Sequence, residues 1–346
     1  MTVAGCGSHT ARIIDRDGGT VSQADILVEV EWSRLLDDTS TARILVQPEG
    51  DCCEQLGRVR AWRHTLAIYR EGMLVWTGPI VRVEWGLGRV EVFASDISVW
   101  LDRRVPHDSM TFTDVDLTRI AEWLITDAFA PDDPGHTVTV VGLARVHGSR
   151  SYIKEVGQSG DHLRDLAETG IDYTVVGANI LLLPEDHQAS VGRLSDADFP
   201  EGLVVAEDGA SLATRWIVAG DDEGDVLGTA GGSHAYYGLL EQYLEQTAIT
   251  DDASAEQAAR AKLRASLPVP VFVDSQEVTI SPQAAVDVAT LVPGWCLDIT
   301  SALTCRTVTQ RLKITGVRVE EDGGTDDDPG AERIQVQVAV TGAEGS

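Results

Sequence analysis

The sequence predicts a mainly β fold with an α+β insert, in which two barrel-like β domains flank a small α+β region. Three observations carry that prediction. Apolar residues recur with period two in short runs separated by glycine-centred turns over much of the 346 residues. Helical spacing replaces this alternation only at Leu117–Ala128, Asp161–Glu168 and Tyr236–Leu267. Strand patterning then resumes beyond Pro268, which cannot continue a helix. The predicted domains are 1–105, 106–199 and 200–346, the last with a helical insertion over 236–267.

The first domain reads as a meander. In Ile26–Trp32, Val28, Val30 and Trp32 alternate with Glu29 and Glu31, giving one buried and one wet face. The acidic turn Asp37-Asp38 leads to a short run, Ala42–Val46. Thr65–Tyr69 and Met73–Trp76 are separated by Arg70-Glu71-Gly72, a tight hairpin in which Gly72 can take a positive φ. Ile80–Trp85 and Arg89–Phe93 repeat the device around Gly86-Leu87-Gly88, with Val81, Val83 and Trp85 on one face. Trp76 reads as core and Arg70 as a solvent-facing hairpin residue. Sequential hairpins with this many bulky inward residues predict a small barrel or sandwich.

Beyond Pro106 the period changes. Leu117, Ile120, Ala121, Leu124 and Ala128 form one helical stripe, with Asp114 or Asp116 near its start. A strand over Thr137–Val141 precedes a second helix, Ser159–Glu168, closed by Gly170. Asp172–Val176 and Ile180–Leu183 form a hairpin around Gly177-Ala178-Asn179. In the last domain Ala213–Ala219 is a strand, and Ala255, Ala259, Leu263 and Leu267 make a helix with Asp251, Asp252 and Ser254 as candidate caps. Leu312–Glu320 and Arg333–Thr341 close the chain as strands.

Composition narrows the function. With 27 Lys and Arg against 55 Asp and Glu, the formal charge is -28, which disfavours nucleic-acid backbones and anionic membranes as surface partners. No apolar run has the length of a signal peptide or a membrane span, so synthesis in the cytoplasm is expected. The five cysteines, Cys6, Cys52, Cys53, Cys296 and Cys305, form no disulfide framework and lack zinc spacing; Cys296 and Cys305 read as strand residues.

Phosphate-loop, zincin and nucleophile-elbow motifs are absent from the sequence. His9 receives no role, a disordered end being one of its readings, and the histidines are dispersed singly. Catalytic, cofactor-binding and metal-binding residues are accordingly assigned as none. Two acidic segments stand out: Asp221, Asp222, Glu223 and Asp225 around Gly224, and Asp326, Asp327 and Asp328. The first does not follow the calcium-loop register, since position twelve from Asp221 is Gly232, so both read as acidic hairpin or loop tips.

A family likeness lies in three stretches. Tyr236–Thr300 runs helix, strand, strand, Leu-Val-Pro-Gly, strand; WRHTLAIYREGMLVW over Trp62–Trp76 is followed by Thr77-Gly78-Pro79; and IDYTVVGANILLLP spans Ile171–Pro184. Together they resemble the tail-hub and minor tail proteins of long-tailed bacteriophages that infect actinobacteria, over about Ala24 to Val340. The resemblance implies a structural, non-enzymatic virion protein at the distal end of the tail. It also implies a homotrimeric ring that joins the tail tube or distal tail protein to other minor tail and tip proteins, giving passage to the tape-measure protein and to DNA in transit. On that reading the seven acidic residues become candidates for the lumen or its rim.

Two other classes stay open. A carbohydrate- or receptor-binding module would need exposed aromatics, for which Trp62, Trp100, Trp216 and Trp295 offer themselves, each within an apolar pattern. A cell-wall hydrolase is the weaker option, because no extra domain is expected beyond the second barrel-like part.

Overall fold

The structure, a computed structural model, describes residues 9–24, 27–47, 51–207, 209, 212–220, 226–246, 249, 251–266, 271–273, 277–303, 305, 307–323 and 331–340. No helix among them is long and apolar enough to cross a membrane.

In chain order the elements begin with β1 (His9–Asp15), β2 (Thr20–Ala24), β3 (Leu27–Leu35), β4 (Thr41–Val46) and the short helix α1 (Asp51–Leu56). Next come β5 (His64–Arg70), β6 (Met73–Gly86), β7 (Arg89–Ser95) and a 3-10 turn over Ile97–Arg103. A mixed stretch follows: β8 (Met110–Asp116), α2 (Leu117–Phe129), β9 (Thr137–Val140), β10 (His147–Tyr152), α3 (Ser159–Gly170), β11 (Ile171–Val176), β12 (Asn179–Pro184) and β13 (Ser190–Ser195). Then come β14 (Val205–Glu207), β15 (Arg215–Ala219), β16 (Leu227–Gly231), β17 (Glu241–Glu245), α4 (Asp252–Ser266) and β18 (Val271–Val273). The last strands are β19 (Glu277–Ile280), β20 (Cys296–Ser301), β21 (Val308–Asp322) and β22 (Glu332–Val340).

The chain divides into two compact units, one of Met1–Gly202, Gln276–Ile299 and Arg311–Ala339, the other of Leu203–Ser275, Thr300–Gln310 and Val340–Ser346. In the first unit, strands run in the order β13-β20-β21-β3-β4-β7-β6-β5-β1-β2, with β22 added on β21 and β19 on β22. The architecture is mixed α and β, dominated by sheets. The expected barrel closure is not found: among the described residues β13 and β2 end the path unpaired with each other. The physical reason lies in β6, whose first half pairs with β5 and whose second half pairs with β7 across a register shift at Ile80/Arg82. A bulge of this kind turns a strand from one layer to the next instead of closing a ring.

The hairpin chemistry follows the sequence. Glu71 and Gly72 take φ of 50° and 81° between paired Arg70 and Met73, the two-residue left-handed turn that matches strand twist. On β3, Val30 and Trp32 are buried, as the alternation requires, and the period continues to a buried Arg34. One inward and one outward assignment fail. Trp85 is 54% exposed at the end of β6. Arg70, expected in solvent, instead makes a two-pronged pair with Glu332 at 2.7 and 2.8 Å, in which both side chains are nearly buried.

The mixed stretch folds on its own core. The stripe of α2 packs with Leu163 and Leu166 of α3 and with Ile171, Tyr173, Ile180 and Leu182 of the sheet β11-β12-β9. Full burial of each such Leu or Ile contributes about 1.5–3 kcal/mol. Asp116 starts α2 by accepting a hydrogen bond from the Thr118 amide, settling which aspartate is the cap.

In the second unit β16-β15-β17 form a small sheet against which α4 packs through fully buried Ala255 and Ala259. The helix runs over Asp252–Ser266, with Asp251 accepting from the Ser254 amide. Helical spacing had been expected from Tyr236 onward, but Glu241–Glu245 is a strand, parallel to β15 from Arg215↔Glu241 to Ala219↔Glu245. Ladder hydrogen bonds to β15 outweigh the weak local period there.

Candidate functional site

The candidate acidic residues Asp221, Asp222, Glu223, Asp225, Asp326, Asp327 and Asp328 all lie outside the described residues. What is described is their setting in the chain. Residues 221–225 connect β15 to β16, which pair antiparallel, and residues 324–330 connect β21 to β22, which also pair. Among the described residues no group of three or more His, Cys, Asp and Glu is arranged to hold a metal. Cys296 begins a strand and is buried, whereas Cys305 is exposed and lies outside any strand.

Of the four tryptophans considered for ligand contact, Trp62 and Trp100 come together, with ring centroids 4.9 Å apart and planes at 69°. Trp216 instead donates to Ser266 Oγ of α4 at 2.8 Å, and Trp295 sits edge-on to His187. Trp100 is carried on the 3-10 turn, which Asp96 caps by accepting from the Ser98 amide. Trp62 adopts φ 64°, a left-handed conformation that costs a bulky residue about 1–3 kcal/mol, and its amide is held by Ile80 O at 2.7 Å.

The two indoles line a cleft of about 250 Å³, whose other walls include Asp15, Arg63, His64, Thr65, Thr77 and Pro79. Asp15 accepts from Arg63 at 2.8 Å, and the Arg63 hydrogen bond, with the Arg16 amide, holds its carboxyl below the usual range. Burial lowers the pKa of His64, and its Nδ1 accepts from the Arg60 amide at 3.0 Å. The proton of the neutral ring is thereby placed on Nε2, 3.6 Å from Asp15 Oδ1.

Buried ionisable groups elsewhere were missed by sequence reasoning. Arg34 donates to the carbonyls of Ala289, Leu291 and Val75 at 2.7–2.9 Å, and burial draws its pKa down to about 10. His9 is buried in β1, accepting from Trp32 Nε1 at 3.1 Å and bonding Glu321 through Nδ1. The disordered-end reading of His9 is thereby corrected. Burial pushes Asp37 up to about 7 and raises Asp172, which pairs with Lys313. The one available signal was periodicity: Arg34 falls on the same side of the strand as Val30 and Trp32.

In the second unit the apolar residues Tyr236, Leu239 and Tyr243 are 84%, 52% and 57% exposed on and before β17. This strand is an edge of its sheet, since β15 is its only partner among the described residues.

Neither a protein-family model nor a curated protein matches the sequence. Solved structures do match. The 43 kDa tail protein of prophage MuSo2 from Shewanella oneidensis aligns with TM-score 0.55 at 13% identity, covering 97% of this chain and 98% of that one. A tail protein from Neisseria meningitidis MC58 gives TM-score 0.54 at 12% identity over 96% and 97% of the two chains. A chain of the Francisella PdpA–VgrG complex gives 0.54 at 8% identity, covering 99% of this chain and 54% of its own. The chain therefore shares the fold of these phage tail proteins and of the VgrG complex chain.

Proposed function

We propose that this protein is a non-catalytic structural hub of a long-tailed bacteriophage tail, of the type found in phages of actinobacteria. On this reading it is made in the host cytoplasm and assembles as a homotrimer at the distal end of the tail. There it joins the tail tube or distal tail protein to other minor tail and tip proteins, and the tape-measure protein and DNA pass through its centre. The observation that carries the proposal is the match to tail proteins over nearly the full length of both chains. The exposed apolar residues on the β17 edge support self-assembly, because such edges are ordinarily covered in the working state.

The acidic excess supports an acidic passage, since phosphates slide past carboxylates and adhere to cationic walls. Asp221, Asp222, Glu223, Asp225, Asp326, Asp327 and Asp328 are proposed for the lumen or for the rim that meets the next ring. Light scattering at micromolar concentration, alone and with the cognate tube protein, tests the assembly. Three copies are expected, and a monomer under both conditions overturns the ring. An electron-microscopy map of the assembled ring tests the lumen: a basic bore with an acidic exterior would overturn it. A second reading, a carbohydrate- or receptor-binding tail module, draws its support from the Trp62–Trp100 cleft.

A further inference from the structure

We propose that the cleft between Trp62 and Trp100 binds a single ring of a neutral saccharide, whether or not the chain is part of a ring assembly. Ligand sites for small molecules combine apolar aromatic walls with a few polar groups that fix orientation, and this cleft has both. The two indoles meet nearly at right angles and form a corner, and a pyranose can lay its C–H face on such a surface. Asp15 and Arg63, joined at 2.8 Å, set an acceptor and a donor side by side in the lining. Adjacent hydroxyls of a sugar can donate to the carboxylate and accept from the guanidinium together. The hydroxyls of Thr65 and Thr77 complete the polar lining.

Charge decides the ligand class. Four ionisable side chains line the cleft, and the one net positive charge they carry is offset by Asp132, the partner of Arg16 outside the lining. Asp15 is paired with Arg63, Arg16 with Asp132, and buried His64 is held as the neutral ring by the Arg60 amide. To pair with the lining side chains themselves, an anionic ligand would have to part Arg63 or Arg16 from its carboxylate, and a cationic one would have to displace Arg63 from Asp15. A neutral polyhydroxyl ligand leaves both pairs intact. Size points the same way: about 250 Å³ lies just below the roughly 300–1,000 Å³ of sites for drug-sized ligands, and suits one ring. The left-handed backbone at Trp62 adds an independent sign, since strain of that kind persists where the surrounding structure fixes a side chain in place.

The test is a titration of the full-length protein with glucose, galactose, mannose and N-acetylglucosamine. Tryptophan fluorescence and saturation-transfer NMR give the readouts, and the oligomeric mass is measured on the same sample so that assembly and ligand binding are judged separately. Saturation by at least one of these sugars in the millimolar range is expected. Asp15→Asn and Trp100→Phe, checked for folding by circular dichroism, should each weaken it about tenfold, as expected for loss of one charge-assisted hydrogen bond or of aromatic contact. The proposal is overturned if no neutral sugar saturates the signal. It is equally overturned if glucuronate, glucosamine or inorganic phosphate binds more tightly than every neutral sugar, if indole alone saturates the cleft, or if both folded variants bind unchanged.

Discussion

Asp37 and Tyr173 hold each other through three hydrogen bonds: the Asp37 amide donates to Tyr173 O at 2.9 Å, the Tyr173 amide to Asp37 Oδ1 at 2.8 Å, and the Tyr173 hydroxyl to Asp37 O at 2.8 Å. The clasp ties the turn between β3 and β4 to the first residues of β11, and so joins the large sheet to the mixed stretch. Asp37 reaches it from a left-handed backbone at φ 59°. Thr174 extends the join by donating to Leu35 O at 2.9 Å.

This join predicts a pH dependence. Burial raises the folded pKa of Asp37 to about 7 from the ordinary 3.8, so between those values the folded state holds a proton that the unfolded state has released. Stability therefore falls as pH rises through that window, by at most roughly 1.4 kcal/mol per pH unit for this group. Asp172, also raised by burial, acts in the same direction. In urea titrations the wild type should be less stable at pH 8 than at pH 5.5, and Asp37→Asn should reduce that slope. An equal slope in both proteins would remove Asp37 from the explanation.

Arg34 predicts a large single-site effect. Three carbonyls, those of Ala289, Leu291 and Val75, accept from it in the interior, and its ring neighbour Trp32 lies 5.2 Å from its guanidinium carbon. Arg34→Met leaves those carbonyls without their donor and should destabilise by about 3–5 kcal/mol. Arg34→Lys should remain destabilised, because an ammonium lacks the planar fork that reaches separate acceptors. Chemical denaturation of the two variants provides the check.

Gly78 and Gly88 predict a contrast. A Cβ on Gly78 would lie 2.0 Å from Ser95 O, a backbone atom that cannot rotate away, whereas one on Gly88 would meet nothing within 4 Å. Gly78→Ala should therefore cost about 3 kcal/mol or more, at or beyond the upper end for overpacking. Gly88→Ala, at φ 75°, should cost only about 1 kcal/mol for its left-handed backbone. Thermal midpoints measured side by side separate the two.

Cysteine labelling checks the burial pattern. Cys296 is buried, and that burial raises its thiol pKa, while Cys53 and Cys305 are exposed. In native buffer a thiol reagent should modify Cys53 and Cys305 within minutes and reach Cys296 only on unfolding. Mass spectrometry of labelled peptides reads the three sites individually.

The sequence by itself determined the local grammar: the hairpin turns at Glu71-Gly72 and Leu87-Gly88, the helix stripe from Leu117 to Ala128 and the alanine face of α4. Those features depend on φ preferences and side-chain periods, which are properties of neighbouring residues. Only the tertiary structure decided the rest. Whether the first sheet closed depended on the bulge in β6 at Ile80/Arg82, and whether Glu241–Glu245 became strand depended on β15, which lies well before it in the chain. Arg34 and His9 acquired their roles from carbonyls and a carboxylate more than 200 residues away, at separations of 255, 257 and 312. Trp62 met Trp100 because the Ile80 carbonyl of β6 holds the turn that carries Trp62 and a capped 3-10 turn carries Trp100. Hydrogen-bond partners and burial at such separations are fixed by packing, and no short window of sequence contains both members of the pair.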